Sequence, residues 1–183
     1  MKVKSRIENI VCRIDFKQNI CFDERVAREK GITETKHLQA YVYSHPKLNV
    51  KMMIFQTGEV ILSGAKDLKE IESSFWNLKK KLKEIGARID IRPDTEIEIQ
   101  NVLATGNVKD YLPDLDIDLE KVSSGANAAY DPERFPAVFL SYPLHDSKAT
   151  AMLFKSGKVL VGDVKSHEDA NIVLEKVVEQ VRY

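Results

Sequence analysis

Cysteine is nearly missing from this chain. Cys12 and Cys21 are the two in 183 residues, too few for a disulfide framework and without the paired spacing of a zinc site. Four histidines are scattered through loop-like stretches. No apolar run approaches the ~18 residues of a membrane span. The basic start Met1-Lys2-Val3-Lys4-Ser5-Arg6 leads into an alternating segment, not into the apolar core of a signal peptide. Net charge is also missing. The 28 basic residues balance the 28 acidic ones, so the total announces no polyanion partner, and nucleic-acid binding has to rest on local placement and apolar contact. A Gly-rich phosphate loop, metal-ligand spacing and Ser/His/Asp or Cys/His motifs are lacking as well. These absences point to a soluble intracellular protein with reduced, structural thiols, no metal, no cofactor, no membrane association and no catalysis.

What is present repeats. Met53-Ile54-Phe55-Gln56-Thr57-Gly58-Glu59-Val60-Ile61-Leu62 returns as Met152-Leu153-Phe154-Lys155-Ser156-Gly157-Lys158-Val159-Leu160-Val161, and five positions coincide between 53–66 and 152–165. Upstream, Arg6-Ile7-Glu8-Asn9-Ile10-Val11 is echoed by Glu98-Ile99-Gln100-Asn101-Val102-Leu103. Each copy continues into an amphipathic helix. One carries Leu68, Ile71, Phe75, Leu78, Leu82 and Ile85; the other carries Ala170, Val173 or Leu174, Val177 and Val181. Asp67 with Glu70, and Ser166 with Asp169, resemble capping boxes at the helix starts. Thr57-Gly58 and Ser156-Gly157 mark tight hairpin turns in which glycine supplies positive φ. A period this long fits duplication of a whole α+β unit: a strand, a short helix, three or four antiparallel strands and a long helix. The copies span 1–92 and 93–183 as one compact unit, and the stretch from Arg88 to Thr95, with Pro93, forms the crossing between them.

An antiparallel sheet covered by helices on one side should read polar at every second residue. These strands do not. Met53 and Phe55 point one way and Met52 and Ile54 the other, and Val60-Ile61-Leu62 and Val159-Leu160-Val161 are apolar throughout. One long and one short helix per copy cover a single face, so an apolar face is left over. Such a face marks an interaction site or packs in a sandwich or homodimer.

Several motifs, in this order and twice over, resemble the TATA-binding protein family across nearly the whole chain. They are Ile7-Glu8-Asn9-Ile10-Val11 and Ile99-Gln100-Asn101-Val102-Leu103; Tyr130-Asp131-Pro132-Glu133-Arg134-Phe135-Pro136; Phe55-Gln56-Thr57-Gly58-Glu59-Val60 with Ser63-Gly64-Ala65-Lys66; and Phe154-Lys155-Ser156-Gly157-Lys158-Val159. The resemblance implies a TBP-like saddle of two pseudo-symmetric repeats, with a curved continuous antiparallel sheet and helices on its convex face. It further implies a transcription initiation factor that grips and bends A·T-rich, TATA-type promoter DNA in the minor groove, a mode for which this family is a standing example. The family's wedge pairs fall on Leu38 with Phe55 and on Phe135 with Phe154. Its central asparagines fall on Asn9 and Asn101, flanked on the same face by Val11, Ile61, Leu103 and Leu160, with Ser63 near them. Amide donors and flat apolar contacts suit the A·T minor groove, which shows only acceptors; a strand asparagine can instead satisfy a backbone bulge. Lys66 and Lys165 match the family's phosphate-contacting lysines, with Lys158 and Lys36 as further candidates. The Tyr130–Phe135 loop matches the element presented to a TFIIB-like factor, with Asp131, Glu133 and Arg134 as contacts, and RNA polymerase would be engaged indirectly. A monomer or weak homodimer that hides the apolar face is expected before DNA arrives.

The first copy departs from the pattern. Thr33-Glu34-Thr35-Lys36-His37-Leu38 stands where the second has Tyr130-Asp131-Pro132-Glu133-Arg134-Phe135. Ser44 and Ser141 occupy positions where the family commonly has arginine, Glu59 stands where lysine is usual, and Gly162 replaces the polar residue matching Ser63. Each change lowers expected DNA affinity. The start of the chain close to the first motif is nearer to archaeal members, placing the protein with the nucleoid in the cytoplasm, or in the nucleus if the source is eukaryotic. Two other readings compete. One is a paralogue regulating through protein contacts with altered DNA specificity. The other is an accessory domain like those fronting some DNA glycosylases and ribonucleases H.

Overall fold

A computed structural model describes residues 3–90, 92 and 95–182. Pro93, in the expected crossing, lies outside them. The chain divides into two compact units, one of Asn9–Gln100 and one of Met1–Glu8 with Asn101–Tyr183.

The first unit carries β1 (Arg6–Asp15, whose first residues count to the other unit), α1 (Glu24–Glu29), β2 (Thr33–Glu34), β3 (Ala40–Ser44), β4 (Lys51–Phe55), β5 (Glu59–Ala65) and α2 (Leu68–Glu84). Its strands lie in the order β2-β3-β4-β5-β1, with every pairing antiparallel. The second unit repeats the plan. It has β6 (Glu96–Asn107, whose first residues count to the other unit), a 3-10 turn (Val108–Asp110), α3 (Leu119–Ser123), β7 (Ala128–Ala129), β8 (Ala137–Leu144), β9 (Ser147–Phe154), β10 (Lys158–Val164) and α4 (His167–Arg182), ordered β6-β10-β9-β8-β7. The α+β duplication expected from the sequence is therefore present.

Alternation along the strands decides which side meets the helices. Cys12, Ile14, Met52, Ile54, Val60 and Leu62 are fully buried, as are Ala104, Leu140, Ala151, Leu153, Val159 and Val161 in the second unit. Against them lie Ile71, Leu78 and Leu82 of α2, and Ala170, Val173, Leu174, Val177 and Val178 of α4. Each fully buried Leu, Ile or Val side chain contributes roughly 1.5–3 kcal/mol, so these paired stripes fix the strand register firmly. Leu68 is an exception to its expected stripe at 67% exposed: Asp67 caps the helix by accepting the Glu70 amide at 2.8 Å, which puts Leu68 in the opening turn before the buried stripe begins. Glu70 returns its carboxylate to the amide of Lys66, one residue earlier than in a standard capping box.

The hairpin turns match between copies. Gly58 and Gly157 have φ of +100° and +90°, and each offers its carbonyl to the end of the first strand of its own copy, to Phe16 N–H at 3.1 Å and to Val108 N–H at 2.8 Å. A β-carbon at Gly58 would overlap the Gln18 carbonyl oxygen, so only glycine fits. Cys12 is buried, and burial pushes its thiol up to about 11. Cys21 differs from expectation, because its side chain is exposed and its structural contribution is a backbone carbonyl accepting the Arg88 amide at 2.9 Å.

Candidate nucleic-acid interface

The face of each sheet opposite the helices is where the sequence-selected residues gather. In the first unit the register aligns Val42, Met53, Ile61 and Arg13 in one row across β3, β4, β5 and β1. In the second it aligns Ala129, Phe139, Met152, Leu160 and Thr105. Next to these rows stand Phe55 and Phe154, opposite Ala40 and Ala137. Val11, Ile61, Phe55, Leu103, Leu160 and Phe154 are all half-buried, whereas their chain neighbours on the helix side are buried. These apolar residues are thus open to solvent on one side without a covering layer.

The second copy assembles an aromatic cluster. The Phe135 ring centroid lies 5.9 Å from Phe154 at an interplanar angle of 62° and 5.4 Å from Phe139. Phe135 and Phe139 are each 39% exposed. Edge contacts of this kind hold rings at defined angles and reduce the conformational freedom that insertion into a partner would otherwise remove. Sequence reasoning missed Phe139: Val138-Phe139-Leu140 is apolar on both sides, so parity alone does not orient it, and its pairing with Met152 is the signal that does. In the first copy Leu38 occupies the corresponding bend, 52% exposed, and among the described residues no aromatic ring pairs with Phe55.

Asn9 and Asn101 each satisfy a backbone bulge. Asn9 Oδ1 accepts the Gly64 amide at 2.6 Å, and Asn101 Oδ1 accepts the Asp163 amide at 3.1 Å. Each bond sits at a register shift, between Ile10 and Cys12 on β1 and between Val161 and Val164 on β10. A backbone N–H can only donate, so the side-chain oxygen must face the bulge and the Nδ2 donors turn away from it. The bulge therefore orients the amide.

Lys66, Lys158 and Lys165 are exposed after or within the last strand of each copy, and Lys36 is exposed in the first-copy bend. Ser63 is half-buried beside the bulge, and Ser44 and Ser141 hold the outer strands opposite Lys51 and Thr150. In the loop after β7, Asp131, Glu133 and Arg134 are exposed. Asp131 is occupied within the loop, its carbonyl accepting the Arg134 and Phe135 amides and its carboxylate 3.4 Å from the Arg134 guanidinium. Glu133, by contrast, is an exposed carboxylate of the same loop.

The first copy has an electrostatic feature the sequence did not reveal. Arg13, on the open face, donates Nε to Glu59 Oε1 at 2.8 Å and Nη2 to Asp15 at 3.2 Å, with Glu98 at 4.0 Å. The hydrogen bond to Glu59 and the neighbouring carboxylates raise the guanidinium above its ordinary value.

Fold and site together define a duplicated sheet-and-helix protein with an open apolar strand face set with amide and ammonium donors. The chain belongs to the transcription factor TFIID, or TATA-binding protein (TBP), family, whose profile matches residues 4–85 and again 96–183. It is 33% identical to the TATA-box-binding protein of Methanocaldococcus jannaschii, covering 100% of this chain and 96% of that one. It is 29% identical to the TATA-box-binding protein of Archaeoglobus fulgidus, over 98% and 95% of the two chains. The solved structure of Methanococcus jannaschii TBP superposes with a TM-score of 0.79 at 30% identity, covering 98% of each chain. The fold is the TBP fold. No helix among the described residues is long and apolar enough to cross a membrane.

Proposed function

We propose that this chain is a transcription initiation factor that binds A·T-rich, TATA-type promoter DNA in the minor groove, bends it, and recruits a TFIIB-like factor, through which RNA polymerase is engaged indirectly. The observation that carries the reading is the cluster of exposed Phe135 and Phe139 with half-buried Phe154 on an apolar sheet face. Unstacking a base step costs a few kcal/mol, and bending a site costs of order 1–6 kcal/mol. A broad apolar face that is wet without DNA and covered with it offsets that cost. Phe135 with Phe154, and Leu38 with Phe55, serve as the wedges. Asn9 and Asn101 donate to groove acceptors, and Val11, Ile61, Leu103 and Leu160 lie flat against sugars and bases, with Ser63 beside them. Lys66, Lys158 and Lys165 meet phosphates.

Asp131, Glu133 and Arg134 form the partner-binding loop, with Glu133 the carboxylate presented to a basic partner. A weak homodimer covering the same apolar face is the form expected without DNA. A second reading, a regulator acting mainly through protein contacts, is favoured by one observation: Glu59, Asp15 and Glu98 surround Arg13 on the first-copy face. A gel shift on an A·T-rich promoter duplex, with and without the TFIIB-like factor, separates the two. A shifted complex in either lane supports the initiation factor, and none in both supports the regulator.

A further inference from the structure

The two copies are chemically opposite around one corner of the open face. In the first, Arg13 lies in the row with Ile61, Met53 and Val42, ringed by Glu59, Asp15 and Glu98. In the second, the matching positions are Thr105, Lys158 and Asn107. Asp15 and Asn107 share one structural duty, while Thr105 donates its hydroxyl to Glu8 at 2.7 Å. Asp15 Oδ1 accepts the Lys17 amide at 2.8 Å, and Asn107 Oδ1 accepts the Lys109 amide at 3.0 Å. The turn after the strand therefore needs a side-chain carbonyl oxygen, which asparagine supplies as well as aspartate. The negative charge of Asp15 is surplus to the fold, and it is spent on Arg13 through Oδ2.

Glu59 sits beside the Gly58 turn, where the second copy has an exposed lysine, and it holds Arg13 through both Nε and Nη2, at 2.8 and 2.7 Å. The cage is partly open: Arg13 and Glu59 are 39% and 42% exposed. A guanidinium has five N–H donors; two acceptors take up its Nε/Nη2 edge, and the Nη1 edge has the Glu98 carboxylate only at 4.0 Å, too long for a hydrogen bond and open to exchange. Arginine donors fit the acceptor atoms of an A·T minor groove, and the groove's negative potential attracts them. A carboxylate close to the phosphate backbone is repelled by it.

We propose that Arg13 is a groove-contacting residue of the first copy, held in check by Glu59 and Asp15, and that it engages A·T-rich duplex only by giving up Glu59. This rests on the minor-groove reading above and adds to it a specificity-determining residue that the second copy lacks. The first copy would then start weakly bound and tighten as the ion pair is exchanged for groove acceptors.

The test is a double-mutant cycle in the full chain, measured by fluorescence anisotropy on an A·T-rich and a G·C-rich duplex at one fixed salt concentration. The variants are Glu59→Gln, Arg13→Thr, which installs the residue the second copy already carries, and their combination, with Asp15→Asn as an independent opening of the cage that keeps the turn. Glu59→Gln is expected to tighten A·T-rich binding by about tenfold, the scale of one good arginine contact in a groove. In the Arg13→Thr background the same change should tighten it by less than about twofold, because the released contact is gone. Asp15→Asn should tighten binding in the same direction. An equal gain with and without Arg13, meaning only that a repelling charge was removed, overturns the proposal; so does an equal gain on both duplexes, which would place Arg13 on phosphate. Absence of any complex with the native chain and all variants overturns the minor-groove reading itself. Native binding with an additive cycle leaves that reading standing and removes only the Arg13 assignment.

Discussion

Asn9 fastens the bulge at Gly64, and the same geometry recurs where Asn101 fastens Asp163, at 2.6 and 3.1 Å. One atom of each amide serves the fold and the other is the proposed groove donor, so the two duties separate by mutation. Asn9→Asp keeps the accepting oxygen but removes the Nδ2 donors and adds a negative charge. It is expected to fold with stability within about 1 kcal/mol of native while losing about tenfold or more in A·T-rich duplex affinity. Asn9→Ala strands the Gly64 amide and should cost about 1–3 kcal/mol in denaturant unfolding as well. Equal loss of DNA binding and stability in both variants would mean the amide serves the bulge alone.

The bulge also separates Gly64 from Asp163. Gly64 has φ +102°, and a β-carbon there would overlap the Asn49 carbonyl oxygen, while Asp163 holds φ +58° with a side chain in place. Left-handed backbone costs an ordinary L-residue roughly 1–2 kcal/mol, with aspartate among the more tolerant. Asp163→Gly should therefore be neutral to stabilising by up to about 1 kcal/mol, and Gly64→Ala destabilising by more than about 1 kcal/mol, in paired thermal melts. The opposite order would show that the two bulges are not equivalent.

Much of this organisation was legible in the sequence because it depends on local period. The repeat, the glycine turns and the two-sided apolar strands follow from spacing alone, while the wedge and asparagine positions come with the family resemblance. What needed coordinates depends on register. Arg13 reads as one more charged strand residue until its strand is paired, since Glu59 lies 46 positions away and reaches it only through the β1–β5 ladder. Phe139 was hidden for the related reason that its neighbours on both sides are apolar. Leu68 fits the buried stripe by spacing, but it is the first residue after the Asp67 cap, in an opening turn that stays exposed.

The start of α4 has a pH signature. Burial pushes the Asp169 carboxyl up, but hydrogen bonds to His145 at 2.9 Å and Ser166, with the Lys165 backbone, hold it below its ordinary 3.8. A depressed carboxylate contributes stability that is present above the unfolded value and is lost as pH falls through the folded one. Asp169→Asn is expected to be about 1 kcal/mol less stable than native at pH 7. The gap should close as pH is lowered from 3.8. A constant gap down to pH 2 would mean the carboxylate charge plays no part.

Salt dependence measures how far binding relies on phosphates. With Lys36, Lys66, Lys158 and Lys165 as the candidate cations, log affinity should fall with log salt at a slope no steeper than about −4, at roughly 0.9 per neutralised phosphate. Anisotropy titrations between low and physiological salt give this slope directly. A slope near −8 would assign the binding to charge and not to the apolar faces.

The central claim is that exposed rings on an apolar sheet face enter and bend an A·T-rich duplex. The direct measurement is energy transfer between dyes at the two ends of such a duplex as protein is added. Native chain is expected to raise the transfer by shortening the end-to-end distance, with Phe135→Ala and Phe154→Ala each losing most of that gain and Leu38→Ala losing less. A complex that leaves the transfer unchanged, or no complex with or without the TFIIB-like factor, would contradict it.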